Sequence, residues 1–363
     1  MSDPTTFNPQ RLILARRRRG LTMTRLAALV GVQARSITAY EKGEFAPSEE
    51  ILAELARNLR FPAAFFFGPD LDVPTTRSVS FRALSRMTAG QRDAALGAGA
   101  LALVLNDWLD AKFKLPEPSI PDLHGEEPEA AAQVVRDQWG LGYRAVPNLI
   151  HLLELKGVRV FSLTQDTRNA DAYSFWRNEV PFVFLDRSTS SERVRFDAAH
   201  ELGHLVLHKR GGPVGQDAET QANAFASAFL MPASSIFANV RHAITLQALV
   251  QLKKRWGVSV AALAYRLWKL QALSDWQYRS MCIEMAPFRR NEPEPMEHES
   301  SQILAKMFTA LHAEGMSKAQ IAKELNLSRA DLESLTFGLD VAEGGADDPP
   351  TPRRARAQLT IVK

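Results

Sequence analysis

Three histidines, His200, His204 and His208, recur every fourth residue in "FDAAHELGHLVLH" (196–208), and Glu201 follows the first directly. Side chains four apart on an α-helix differ by about 40° in azimuth, so two imidazoles can converge on one ion while Glu201 projects beside them. An imidazole pair with an adjacent carboxylate suits hydrolysis. A metal polarises a carbonyl, and the carboxylate draws a proton from water and passes it to a leaving amine. The competing reading is an amphipathic helix with a histidine-rich polar face. Gly203 is expected to keep the metal face open, with Val194, Phe196 and Ala199 burying the back. His208 would sit about 6 Å further along the axis, beyond an ion held at about 2.0–2.1 Å. It reads as a helix-terminal histidine against the C-terminal dipole.

A catalytic zinc ion needs a third protein ligand and an open position. Cys282 is the only cysteine, so neither a thiolate cluster nor an internal disulfide is available. Glu219 opens "ETQANAFASAFLMP" (219–232), where Ala222, Phe225, Ala226 and Phe229 make an apolar face that must pack. The glycine-rich "KRGGPVGQD" (209–217) lets that helix return antiparallel and bring a first-turn carboxylate to the histidines. Asp217 is the rival ligand. The candidate Zn2+ ligands are therefore His200, His204 and Glu219, with Glu201 as the catalytic base. Tyr173, Tyr265 and His242 are weighed as oxyanion donors, though each also reads as core or surface.

These side chains need a scaffold. "VRVFSL" (158–163), "AYSFW" (172–176) and "VPFVFLD" (180–186) are rich in β-branched and aromatic residues and predict three strands. Helices are predicted before them at 128–139 and 146–157, and after them at 191–208, 217–231 and 245–272. A long helix within 80–112 ends at the proline cluster "KLPEPSIPDL" (114–123), which marks a boundary. Residues 298–339 are helical again, and "GMSKAQIAKELNLSRADLESLTFGL" (315–339) has a helix-turn-helix rhythm that reads as a packing or dimerisation appendage. The tail at 343–358, rich in Gly, Pro and charge, is expected to be disordered.

The first sixty residues point elsewhere. In "RLILARRRRGLTMTRLAALVGVQARSITAYEKG" (11–43), Thr22 is a candidate N-cap and Gly31 fits a tight turn. Leu26, Ala27 and Leu29 form an apolar face, and Ile37 and Tyr40 turn to the core. That leaves Gln33, Arg35, Ser36 and Thr38 for base edges and phosphates. With Arg25 and Lys42 they make up the candidate DNA contacts. Net charge is only +3, but Arg16, Arg17, Arg18 and Arg19 concentrate positive charge here. Neutralising phosphates would give salt-sensitive affinity.

Two resemblances rest on these residues. "LARRRRGLT", "LAALVGV" and "SITAYEKGEFAPS" resemble the Xre/Cro helix-turn-helix family over residues 7–67. The resemblance implies five helices, an Arg16–Glu41 ion pair and a reader helix at 33–42. Met23 stands where that family usually carries a phosphate-contacting Gln. "AHELGHLVLH" followed by "ETQANAFASAFLMP" resembles the ImmA/IrrE metallopeptidases. That implies a minimal gluzincin fold, zinc on His200, His204 and Glu219, Glu201 as general base, and an edge strand that pairs with a substrate peptide. Gln221 stands where that family often has Glu, a change expected to leave the metal unaffected.

The expected fold is α+β and mainly helical. It divides into a helix-turn-helix domain (1–69), a helical linker (70–125), a zincin domain with a small sheet (126–275), a C-terminal helical segment (276–342) and a disordered tail (343–363). With no apolar run of membrane-spanning length and no signal-peptide layout, a cytoplasmic chain is expected. The expected partners are double-stranded operator DNA, a protein substrate or a toxin or repressor partner, and a second copy of the chain. Two functions follow: a zinc endopeptidase that relieves repression by cleaving a regulatory protein or itself, or a repressor or antitoxin whose zincin domain only senses or binds.

Overall fold

The computed structural model describes residues 6–75, 87–163, 172–210, 215–240, 244–289 and 291–339. His242, the tail at 343–358 and part of the expected linker lie outside those residues. Among the described residues, no helix is long and apolar enough to cross a membrane.

The N-terminal domain packs α1 (Pro9–Arg18), α2 (Met23–Val30), α3 (Ala34–Lys42) and α4 (Glu49–Leu59) around Leu12, Leu26, Ile37, Leu55 and Leu59, all fully buried. Local signals set the boundaries. Asn8, Thr22 and Ser48 accept from the first-turn N–H groups, and Gly31 closes α2 in the left-handed region at φ 77°. The fifth helix is a short 3-10 turn, Ala63–Phe67, whose Phe65 and Phe66 are buried. Ile37 and Tyr40 turn inward as expected, but Leu29 is 41% exposed and lies outside the core.

The predicted linker helix, α5 (Ala89–Asp110), is a spine rather than a tether, buried almost continuously from Ala94 to Leu103. Its small residues explain why. A Cβ on Gly97 would come within 3.2 Å of Arg18 in α1, and one on Gly99 within 2.9 Å of the Tyr173 hydroxyl. The glycines thus let α5 pack tightly against the N-terminal domain and the sheet together.

After α6 (Pro128–Gln138) and α7 (Leu149–Leu155) come β1 (Arg159–Ser162), β2 (Ala172–Arg177) and β3 (Val180–Leu185). The order is β1-β3-β2, parallel between β1 and β3 and antiparallel between β2 and β3. Strand periodicity sorts the faces. The register stacks Phe161, Phe184 and Tyr173 in one cross-strand row and Phe182 with Phe175 in the next, with neighbouring ring centroids 4.5–6.4 Å apart. This aromatic face meets α5, where the Tyr173 hydroxyl donates to the Ala95 carbonyl at 2.9 Å. The opposite face carries Ser174 and receives α8 (Ser191–Leu207).

Next come α9 (Gln216–Leu230), α10 (Ala233–Asn239), α11 (Leu246–Trp256), α12 (Val260–Lys269) and α13 (Asp275–Glu284). The single helix predicted at 245–272 is two, because Gly257 caps α11 in the left-handed region at φ 63°. The C-terminal helices α14 (Gln302–Ala313), α15 (Lys318–Glu324) and α16 (Arg329–Leu335) are fixed by capping exchanged across the sequence. Glu299 accepts from the N–H groups of Leu149 and Ile150, which start α7. Glu154, in α7, accepts from the Ser301 hydroxyl and from the N–H groups of Gln302 and Ile303, which start α14. In the second helix-turn-helix rhythm, Asp331, Leu332 and Leu335 of α16 are buried against the body.

Candidate metal centre

Helix α8 is N-capped by Ser190, runs unbroken through His200 and His204, and ends with His208 as its C-cap. It is more deeply buried than an amphipathic surface helix, because the sheet covers one side and α9 the other. Gly203 has a different role from the one expected. A Cβ there would meet Phe225 at 3.1 Å and the Ala222 backbone at 3.2 Å, so its hydrogen lets α9 cross close rather than keeping the metal face open. Close crossing brings Glu219 to the histidines, while Asp217 on the same first turn is exposed.

The donors converge. His200 Nε2 and His204 Nε2 are 3.1 Å apart, and each is 3.3 Å from one carboxylate oxygen of Glu219. Tetrahedral zinc with ligands at about 2.0–2.1 Å requires ligand atoms about 3.3–3.4 Å from one another. The two imidazoles and the carboxylate therefore fit a zinc ion in chemistry and in spacing. The donor atoms of His200, Glu201 and His204 also lie within 4.8 Å of one another. Exposure is 7% for each histidine, 3% for Glu201 and 4% for Glu219. Burial opposes the Glu219 charge, but the adjacent His200 and His204 outweigh it and hold the carboxyl at about 2. Burial likewise opposes charge on His200, and the nearby carboxylates, Glu219 first, raise its pKa above the ordinary value.

Around these four sits a set of polar groups that the sequence reading did not assign. The Ser174 hydroxyl, on the α8 face of β2, donates to Glu201 Oε2 at 2.6 Å. His200 Nδ1 lies 3.0 Å from Asn223 Oδ1. His208 does not use its ring on the helix carbonyls. Its Nδ1 is 2.9 Å from His204 Nδ1 and its Nε2 is 2.9 Å from Gln221 Oε1. Burial keeps the His208 imidazole below its ordinary pKa. A signal for Asn223 was present, four residues after Glu219 and so one turn along the same face. Ser174 had none, because its partner comes from another element. The oxyanion candidates separate: Tyr173 is committed to Ala95 on the far face of the sheet, and Tyr265 packs on Trp268 and Tyr278.

On the N-terminal domain, Arg25, Gln33, Arg35 and Lys42 are exposed, and Ser36 and Thr38 are half-buried. The Thr38 hydroxyl is engaged with the Ala34 carbonyl at 3.1 Å and the Met23 sulfur at 3.5 Å. The arginines at 16–19 are each engaged by an acidic side chain. Arg16 pairs with Glu41 through two hydrogen bonds. Arg18 and Arg19 both donate to Asp331, and Arg17 lies 3.6 Å from Asp93. Arg18 is only 1% exposed. Arg18 and Arg19 thus hold the domain to α16, while Arg16 makes the expected pair within the domain.

Comparison with known proteins agrees with both halves. Residues 12–66 match the helix-turn-helix family model, which carries DNA binding, and residues 153–268 match that of the IrrE N-terminal-like domain, a zinc-metallopeptidase type. None of the curated proteins matches the chain. The candidate DNA contacts and the histidine–glutamate cluster thus lie within the two matched stretches, and the chain is a fusion of an Xre-type helix-turn-helix domain with an IrrE-like domain.

Proposed function

We propose that this chain is a DNA-binding regulator with a zinc-dependent endopeptidase site, which cleaves a regulatory partner protein or the chain itself and so relieves repression. The observation that carries this reading is the convergence of His200 Nε2, His204 Nε2 and Glu219 at 3.1–3.3 Å, with Glu201 beside them. Zinc held there supplies a Lewis acid for the scissile carbonyl. Glu201, oriented by the Ser174 hydroxyl, takes a proton from the attacking water and returns it to the leaving amine nitrogen. Strand β2 carries Ser174 and lies at one edge of the sheet, where a substrate peptide can add by backbone pairing. Arg25, Gln33, Arg35, Ser36, Thr38 and Lys42 are assigned to operator DNA, read by two copies on paired half-sites in the cytoplasm.

The test is Glu201→Gln, which keeps the metal donors. Zinc-loaded wild-type chain and the variant are each incubated with a proteome-derived peptide library, and new N-termini are counted. Wild type should generate them about 10²–10⁴ times faster than the variant. Equal counts from the two would sink the peptidase reading. They would favour the second one, a repressor or antitoxin whose zincin domain is a sensor or binding scaffold. That reading has its own support, because all four site residues are less than a tenth exposed.

A further inference from the structure

We propose that His208 and Gln221 form a positioning relay that fixes the Nδ1–H tautomer of His204 and so turns a bare Nε2 toward the metal. The proposal rests on the zinc reading above and adds a role for two residues outside the ligand set.

A neutral imidazole carries one N–H and one lone pair, and only the lone pair can bind a metal. His204 Nε2 points into the donor cluster, 3.1 Å from His200 Nε2 and 3.3 Å from Glu219 Oε1. Its Nδ1 lies 2.9 Å from His208 Nδ1, so one hydrogen must sit between two nitrogens. Only two placements exist. With the hydrogen on His204 Nδ1, its Nε2 is bare. His208 Nδ1 then accepts, so His208 carries its own hydrogen on Nε2, 2.9 Å from the carbonyl oxygen of Gln221. Every donor meets an acceptor. With the hydrogen on His208 Nδ1, the His204 Nε2–H would project into the metal position. A bare His208 Nε2 would then oppose the lone pairs of Gln221 Oε1. The first placement leaves His204 Nε2 bare for a metal, whereas the second would spend it on Glu219 Oε1, 3.3 Å away, and leave His208 Nε2 facing an acceptor at Gln221 Oε1.

The two metal-facing histidines are therefore oriented differently. His200 is held by one step, its Nδ1 donating to Asn223 Oδ1 at 3.0 Å, whereas His204 is held by two steps through a second ring. Helix α9 ends both routes, at Asn223 and Gln221, and also supplies Glu219. Outer partners of this kind fix the ring and raise ligand basicity, and their loss typically costs 10–100-fold in metal affinity. Position 221 thus bears on the metal, contrary to the expectation from sequence.

The test measures zinc affinity of the full chain by chelator competition for wild type, His208→Phe, Gln221→Met and Gln221→Glu. Nitrogen NMR of the zinc-loaded wild type reports which His204 nitrogen is protonated. His208→Phe keeps the ring volume and should weaken zinc about 10–100-fold. Gln221→Met should give a smaller loss. Gln221→Glu, an acceptor only, should bind zinc at least as tightly as wild type, which a merely space-filling role would not produce. The His204 spectrum should show Nδ1 protonated. Should His208→Phe fold poorly, the opposed Gln221 pair and the spectrum decide. Wild-type affinity in His208→Phe, equal affinities in the Gln221 pair, or zinc on His204 Nδ1 would overturn the relay while leaving the zinc site standing. A wild-type chain that takes up no zinc would instead remove the zinc reading, and the relay with it.

Discussion

The arginine run at 16–19 and the histidine helix at 196–208 are both clusters of one residue type, yet they behave oppositely. The histidines do what their spacing says. A period of four puts His200 and His204 on one side of α8, and their carboxylate partner lies just across one turn, on the next helix. The arginines do not do what their charge says. Adjacent residues on a helix point in different directions, so Arg16 meets Glu41 and Arg17 lies near Asp93, while Arg18 and Arg19 share Asp331. Periodicity encodes geometry, whereas a run encodes only composition.

The largest expected effect tests the histidine side. His204→Ala should reduce zinc retained after gel filtration from one per chain to none, read by elemental analysis, while operator affinity stays within about twofold. A variant that retains full zinc would break the inference from spacing to site.

Asp331→Ala tests the arginine side. It removes the carboxylate from buried Arg18 and from Arg19, and should cost about 3–5 kcal/mol in denaturant unfolding, as expected for a buried pair that loses one partner. If the loss is under about 1 kcal/mol, as for an exposed pair, the run is ordinary surface charge after all.

Two buried carboxyls should then titrate with opposite sign. Burial pushes Glu154 up to about 6 despite its hydrogen bonds from Ser301, Ile303 and Gln302. The folded state therefore holds its proton more tightly than the unfolded chain, whose value is 4.5. Its contribution is full below that value and is lost as pH rises through about 6, by about 2 kcal/mol. Glu154→Gln should remove this slope in unfolding titrations. For Asp331, burial is outweighed by Arg19 and Arg18, which lower its pKa. Its contribution is present above the ordinary 3.8 and disappears as pH falls below it.

The smallest effects separate neighbours. Arg17→Ala, at an exposed position, should change stability by no more than about 0.5 kcal/mol. Arg35→Ala should leave stability equally untouched but lower the salt slope of DNA binding by about one. Equal slopes for Arg35→Ala and wild type would remove Arg35 from the reader.

Much of this was legible locally. The three strands, the cap at Thr22, the Arg16–Glu41 pair and the convergence of His200, His204 and Glu219 follow from periodicity, turn chemistry or family pattern. What stayed hidden required partners distant in the chain. Ser174 meets Glu201 only after β2 is laid on α8, and Gly203 owes its identity to Phe225 and Ala222 on the neighbouring helix. The long helix read as a linker because its Ala and Gly content shows no amphipathic stripe, although those small residues make it a spine with a protein surface on each side.

The Arg18–Asp331 contact spans 313 positions of the chain. During synthesis the reader domain leaves the ribosome long before the residue that secures it exists. A prematurely terminated product can carry the reader surface but not the fastening. The buried ion pair that ties the DNA-binding domain to α16 is thus a property of finished chains only.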